Sequence, residues 1–203
     1  MVALRISGVG HPGHRARLQP ARRIPARPAR SETEAVISLR PATADDESLI
    51  RDIIHASMLV SYVHFLPAKF TEKMLRNDRA GEIARNDAVR FTIAEWNNTP
   101  AGVMLLKADY VDHLWTHPDF MGKGVGSALL DHAAHVATQA GFHALTLNCF
   151  EKNTHALDFY KAKGFVIEKT FEAIDYCPGE NACFLVRQLK DTTASSEPFN
   201  AIC

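Results

Sequence analysis

The sequence predicts an α/β domain with one mixed β-sheet flanked by helices. Two observations lead to this prediction. Hairpin-like strands come first, and strand-like runs then alternate with helical ones in the second half of the chain. We predict the order β-α-α-β-β-β-α-β-α-β-β within residues 34–190. A chain of 203 residues has room for one such domain and is too short for two ordinary ones.

The first half of the predicted domain contains a strand, two helices and a hairpin. Thr43 has the position of a helix N-cap, with Asp46 at the capping-box position. The turn Asn97-Asn98-Thr99-Pro100 is a hairpin signal between two strands. The predicted elements are a strand at 36–40, a helix from the Thr43 cap to about 58, a helix at 67–76, and strands at 90–96 and 101–107.

The second half alternates strands with helices. Gly141 and Gly164 each follow a helical run, as glycine commonly does at a helix C-terminus. The predicted elements are a strand at 110–116, helices at about 124–140 and 153–163, a strand at 145–150 between them, and strands at 166–171 and 182–189. An irregular loop at 173–180 separates the last two strands.

Charge is distributed unevenly along the chain. The formal net charge is zero, yet seven of the 23 basic residues are arginines within residues 1–31, which contain no acidic residue. The remaining chain therefore has 16 basic and 23 acidic residues. Such an acidic domain is a poor general nucleic-acid binder and tolerates a cationic substrate such as a protonated amine. We expect no nucleic-acid partner.

The two ends are predicted to lie outside the domain. Residues 1–33 are rich in Arg and Pro and show no strand or helix period, so we expect a disordered arm. A targeting peptide is the alternative, although four prolines would interrupt its amphipathic helix. Residues 191–203 are predicted to be a flexible tail. The chain has no apolar stretch of membrane-spanning length and no C-x-x-C pair, which favours a cytoplasmic protein with reduced thiols.

One loop carries most of the chemical information. The predicted strand at 110–116 ends in Leu114-Trp115-Thr116. The chain continues as His117-Pro118-Asp119-Phe120-Met121 into Gly122-Lys123-Gly124-Val125-Gly126-Ser127, where a helix begins. Alternating glycines permit a sharp turn and close approach of a ligand, and the first helical turn offers unpaired N–H groups. Together these features predict a pyrophosphate-binding loop. The Rossmann and Walker A patterns are both absent.

A second segment, from Asn148 to Phe165, contains Asn153-Thr154-His155-Ala156-Leu157-Asp158-Phe159-Tyr160. With the glycine-rich loop, it resembles the paired motifs of the GCN5-related N-acetyltransferase (GNAT) family, in the family's order. The resemblance covers roughly residues 36–189. It implies a sheet that is splayed at its centre, a flanking set of helices, and acetyl-CoA as the co-substrate.

The resemblance also implies contacts with acetyl-CoA. Backbone amides of the loop would hold the pyrophosphate, the edge of the strand at 110–116 would pair with the pantetheine arm, and Asn153 would contact that arm near the thiol. The implied residues are Leu114, Trp115, Thr116, Gly122, Lys123, Gly124, Val125, Gly126, Ser127 and Asn153. Met121 replaces the family's usual Arg or Gln and cannot donate a hydrogen bond to phosphate, so we expect weakened cofactor binding.

Three residues are candidates for moving protons. Tyr160 would protonate the departing thiolate, or would simply be a packed aromatic residue. Asp112 is the preferred base and His113 the alternative, with deprotonation of the amine by solvent as the third option. Strand alternation predicts that Asp112 and His113 lie on opposite faces.

Other residues suggest weaker hypotheses. His132 and His135 lie three residues apart on a helix, but we interpret them as solvated surface histidines and expect no metal. The segment containing Tyr62, His64 and Phe65 precedes the second helix, where the family builds its acceptor wall, and is a candidate substrate contact.

The function predicted is direct transfer of an acetyl group from acetyl-CoA to a primary amine. The acceptor would be a small molecule or a protein, and the enzyme a monomer or homodimer. Fold cannot choose between these acceptors. The alternative is a non-catalytic acyl-CoA-binding module that acts as a sensor or scaffold.

Overall fold

The computed structural model of the protein describes residues 35–190, in which seven strands form a single mixed sheet. The predicted arm (1–33) and tail (191–203) lie outside the described residues. The strands are β1 (Ile37–Pro41), β2 (Phe91–Trp96), β3 (Thr99–Lys107), β4 (Tyr110–Thr116), β5 (Ala144–Phe150), β6 (Val166–Glu172) and β7 (Asn181–Gln188). Their order across the sheet is β1-β2-β3-β4-β5-β7-β6.

Helices cover both faces of the sheet. They are α1 (Glu47–Ser61), α2 (Ala68–Arg76), α3 (Arg79–Asp87), α4 (Val125–Gln139) and α5 (Thr154–Ala162). One apolar cluster joins α1, α2 and α3 to β2 and β3, and a second joins α4 and α5 to β3, β4, β5 and β7. The predicted α/β fold with a mixed sheet is confirmed.

The predicted capping box is present ahead of α1. The backbone N–H of Thr43 donates to the carboxylate of Asp46 (2.8 Å), and a short 3-10 turn, Ala44–Asp46, precedes the helix. Arg40 also donates to Asp46 (2.8 Å), and this hydrogen bond holds the pKa of the Asp46 carboxyl well below its usual range. The cap therefore ties the start of α1 to β1.

Helix α3 was missing from the predicted order. It begins after Asp78, which adopts a left-handed backbone (φ 48°) and accepts a hydrogen bond from the N–H of Gly81. Only Ile83 is a large apolar residue, so the helical period is weak in the sequence. Burial of Ala80, Ile83 and Ala84 in the cluster shared with α1 stabilises the helix instead.

The hairpin between β2 and β3 is tighter than predicted. Asn97 and Asn98 both have positive φ (48° and 64°) and alone form the turn, as in a type I′ hairpin. Thr99 and Pro100 belong to β3.

The sheet opens between β4 and β5, which run parallel. Among the described residues, Tyr110 and Thr146 are the one pair in register between these strands, and the amide of Thr146 also donates to the carbonyl of Asp109 (2.8 Å). Beyond this point β4 keeps its antiparallel partner β3, while its other edge faces the opening. This opening, hereafter the β4/β5 gap, confirms the predicted splay.

Candidate active site

A β-bulge interrupts β4 beside the gap. His113 pairs with Leu105 and Val111 with Leu106, so Asp112 is an extra residue without a partner on β3. The bulge breaks strand alternation, and the prediction of opposite faces for Asp112 and His113 is wrong: the Asp112 Oδ2 lies 3.8 Å from the Nε2 of His113. The two candidate bases are therefore neighbours.

The surroundings of this pair are charged on one side and aromatic on the other. Asp112 forms an ion pair with Lys107, and the His113 ring stacks on Phe91 with centroids 6.1 Å apart. Burial lowers the pKa of His113, and the Asp112 charge opposes part of that shift. His113 is accordingly held neutral near pH 7.

The glycine-rich loop has the backbone conformation that its glycines predict. Gly122 and Gly124 have positive φ (75° and 88°), and Gly124 is the N-cap of α4. A Cβ at Gly126 would lie 3.3 Å from the Phe159 ring and 3.5 Å from the Thr116 hydroxyl. The loop, the end of β4 and helix α5 therefore converge at the start of α4.

Unpaired amides at the start of α4 suit an anion. Gly124 has no side chain with which to cap the helix, and the first intrahelical bond is donated by Ala128 to the Gly124 carbonyl. The Lys123 amide is already engaged by the Phe120 carbonyl (3.3 Å), whereas the Lys123 ammonium lies over the rings of Phe120 and Trp96. The amides of Val125, Gly126 and Ser127 remain as donors.

Tyrosine hydroxyls gather near the gap. Burial raises the pKa of Tyr160 well above its ordinary value, with smaller contributions from Cys149, Tyr62 and Tyr110. Burial similarly raises the pKa of the Cys149 thiol to about 12, so this cysteine is a poor nucleophile at neutral pH. The Tyr160 ring packs edge-on against Phe165 (5.7 Å). Tyr160 is therefore a packed aromatic residue that also keeps its proton at the gap.

Asn153 caps the N-terminus of helix α5. Its side-chain oxygen accepts a hydrogen bond from the amide of Ala156 (3.3 Å), which makes it the N-cap of α5. The side-chain NH₂ group of Asn153 is a further hydrogen-bond donor.

An aromatic cluster closes the gap on the side of α1. Tyr62 contacts Phe65 (5.7 Å), Trp115 (5.6 Å) and Phe150 (5.6 Å) edge-on. The indole N–H of Trp115 is buried and has no hydrogen-bond partner among the described residues. Tyr62 and Phe65, two of the three residues suggested as a substrate contact, thus belong to this cluster, whereas His64 is exposed. The substrate contact itself stays a prediction.

Sequence reasoning missed several residues around the gap. Tyr110, Asn148, Phe150 and Tyr176 lie on three different strands or loops, and the Tyr176 hydroxyl influences the pKa values of Tyr62 and Tyr110. Alternation along β5 could have placed Asn148 and Phe150 on one face. No local pattern signals that Tyr176, on the loop between β6 and β7, approaches this face.

Metal ligands do not cluster in the described part of the chain. Residues 35–190 contain no group of three or more His, Cys, Asp or Glu side chains arranged to hold a metal ion. His135 is exposed and His132 half-buried on α4. Within the same residues, no helix is long and apolar enough to cross a bilayer.

Comparison with known proteins agrees with this geometry. The model of the acetyltransferase (GNAT) family matches residues 54–165, more than half of the chain, so the protein belongs to this family. A curated relative is the peptidyl-lysine N-acetyltransferase YjaB of Salmonella typhimurium, with 40% identity over 76 residues. That alignment covers 37% of this chain and 49% of YjaB, so the chain spans about half the length of this relative.

Solved structures match a larger share of this chain than the curated relative does. The apo form of YjaB from Escherichia coli has a TM-score of 0.61 and 27% identity, and covers 74% of this chain and 97% of its own. The PaiA N-acetyltransferase of Thermoplasma acidophilum, in complex with coenzyme A, has a TM-score of 0.63 and 19% identity. The match covers 75% of this chain and 99% of the PaiA chain. The second likeness concerns the fold alone.

Proposed function

We propose that the protein transfers the acetyl group of acetyl-CoA directly to a primary amine. The observation that carries the proposal is the gap between β4 and β5, which lies beside the glycine-rich start of α4 in a member of the GNAT family. A free strand edge and an uncapped helix N-terminus together suit an extended ligand with an anionic end.

The residues of the loop fit coenzyme A. The amides of Val125, Gly126 and Ser127 would hold the pyrophosphate, and the free edge of β4 at Leu114–Thr116 would pair with the pantetheine arm. Lys123 would add positive charge. When bound, acetyl-CoA supplies an activated acyl group with a thiolate as leaving group.

Proton transfer is assigned to residues beside the gap. Tyr160 would donate a proton to the departing sulfur, because its buried hydroxyl stays protonated at neutral pH. Asp112 or His113 would accept the proton of the amine. Their proximity means that a change in one also alters the other. The buried Cys149 thiol is a poor nucleophile, which favours direct transfer over a covalent acyl-enzyme.

The acceptor amine would enter past the aromatic cluster. Rings of Tyr62, Phe65, Trp115 and Phe150 offer an apolar wall for an alkyl chain and π-faces for its cationic end. The curated relative YjaB is a peptidyl-lysine N-acetyltransferase, so amines on a flexible alkyl chain, as in lysine, are the first class to test.

The test is turnover with a panel of primary amines. Thiol release from acetyl-CoA would be followed together with the mass of the acetylated product. We expect release that depends on the amine and one acetyl group on each product molecule. Binding of acetyl-CoA with no turnover for any amine would support a sensor or scaffold and overturn the proposal.

A further inference from the structure

Beside the gap, β5, β7 and β6 share an open face. Asn148 on β5 pairs with Phe184 on β7, which in turn pairs with Lys169 on β6. The alternate residues Leu147 and Leu185 are buried in the core on the opposite face. The side chains of Asn148, Phe184 and Lys169 therefore form a row across three strands.

This row lines a shallow cavity of about 390 Å³, together with Phe171. Such a volume suits a small organic molecule. Two aromatic rings give the cavity an apolar floor, and Asn148 and Lys169 supply its polar groups. The Lys169 ammonium lies 5.2 Å from the centroid of the Phe184 ring.

Lys169 is an exposed residue in the cavity lining. Within residues 35–190 no carboxylate lies at ion-pair distance from its ammonium, whereas Lys152 is paired with Glu180 (2.9 Å) and Lys107 with Asp112. A cation in an otherwise neutral concave site attracts an anion.

The cavity has Asn148 in its lining, and along β5 this residue is a near neighbour of the aromatic cluster proposed to receive the acceptor. Phe150 lies two residues after Asn148 on the same face, and its ring contacts both Tyr62 and Phe65. Adjacent strands are about 4.8 Å apart, so the backbone of Lys169 lies about 10 Å from that of Asn148. A ligand with one end at the gap and the other at Lys169 must be elongated.

We propose that Lys169 binds an anionic group of the acceptor, so that the preferred acceptor is a small amine that carries a free carboxylate. This inference rests on the proposed acetyltransferase function. A free amino acid with an amine on its side chain has both groups: in extended lysine, six bonds of roughly 1.5 Å in a zigzag hold them about 7 Å apart. A lysine within a polypeptide lacks the free carboxylate.

Matched acceptors test the inference in steady-state kinetics with saturating acetyl-CoA. Nα-acetyl-lysine and Nα-acetyl-ornithine would each be compared with their N-methylamides, which lack only the carboxylate. We expect kcat/KM to be about tenfold higher for the carboxylates, with a preference that decreases as salt rises. Lys169→Met should remove the preference, mainly by raising KM for the carboxylates.

Lys161→Met is the matched control, because Lys161 is an exposed lysine on α5 whose ammonium lies 3.9 Å from the carboxylate of Asp158. It should keep the wild-type preference. Equal turnover of acids and methylamides by the wild-type protein would overturn the inference and leave the acetyltransferase function standing, and higher turnover of the methylamides would point to polypeptide acceptors. A preference that survives in Lys169→Met would also overturn it. No turnover of any amine would instead overturn the proposed function.

Discussion

The carboxylate of Asp112 lies 3.8 Å from the imidazole Nε2 of His113, although the two residues are consecutive in a strand. A regular strand would direct them to opposite faces. The bulge in β4 brings them together and sets Lys107 beside Asp112. The two candidate bases therefore form one coupled unit, and substitutions at either position are informative only when compared.

Replacing Asp112 tests which residue is the base. If Asp112 accepts the proton, Asp112→Asn should lower turnover by roughly 10²-fold near neutral pH and least at high pH, where more of the amine is already deprotonated. The measurement is kcat across pH 6 to 10. Asp52→Asn, on exposed α1 surface, is the control. If His113→Gln shows this pH-dependent loss of turnover and Asp112→Asn does not, His113 is the base. If both variants keep full turnover, neither residue is the base.

Protonation of His113 should couple stability to pH. Burial lowers the pKa of His113 in the folded state, so its contribution is fully present above the ordinary pKa of about 6.5. That contribution is lost as pH falls through the lower folded pKa. We expect the urea concentration at the unfolding midpoint to decrease as the pH is lowered from 7.5 to 5. The decrease should be smaller in His113→Gln. His135→Gln, at an exposed site, should retain the wild-type dependence; an equal change in both variants would count against the coupling.

Removing the hydroxyl of Tyr160 tests whether this residue is the general acid. Tyr160→Phe keeps the ring that packs against Phe165 and removes only the hydroxyl group that would donate the proton. Turnover should fall by roughly 10²–10⁴-fold, while the dissociation constant of acetyl-CoA changes little. Unchanged turnover would show that Tyr160 is only a packing residue.

We expect cofactor binding to depend on the backbone conformation at Gly124. Its φ of 88° disfavours a β-branched residue, whereas an added Cβ would lie at ordinary van der Waals distance, 3.6 Å, from Ile37. We expect Gly124→Val to abolish the rise in melting temperature that acetyl-CoA produces in the wild type. Gly141→Val is the control, since Gly141 has the same backbone strain (φ 85°) at the other end of α4. A shift retained in folded Gly124→Val would mean that the loop is not the binding site.

Met121 should limit affinity for acetyl-CoA. Met121→Arg adds a phosphate donor next to the loop, and we expect tighter binding by up to about tenfold, since a charge-assisted hydrogen bond is weakened by exposure. Met121→Leu should leave the dissociation constant unchanged. Equal or weaker binding by the folded Arg variant, measured by calorimetry, would contradict the alignment of this loop with the family motif.

Most of the architecture could be predicted from the sequence. The glycines at 122 and 124, the Asn97-Asn98 turn and the capping box of Thr43 and Asp46 each act within a few residues, so their patterns specify local structure directly. The two family motifs likewise lie in continuous segments. The sheet, four of the five described helices and the gap followed from these signals.

Only the tertiary structure decided which side chains from distant segments face one another. Helix α3 forms because α1 buries its small residues, and the bulge at Asp112 depends on the register between β3 and β4. The row from Asn148 to Lys169 joins positions on three strands that are distant in sequence. Local sequence sets the backbone conformation of short segments, but register and packing between distant segments determine which side chains meet. The sequence by itself therefore determined the family and the backbone of the glycine-rich loop, and the packed sheet decided which side chains surround the β4/β5 gap.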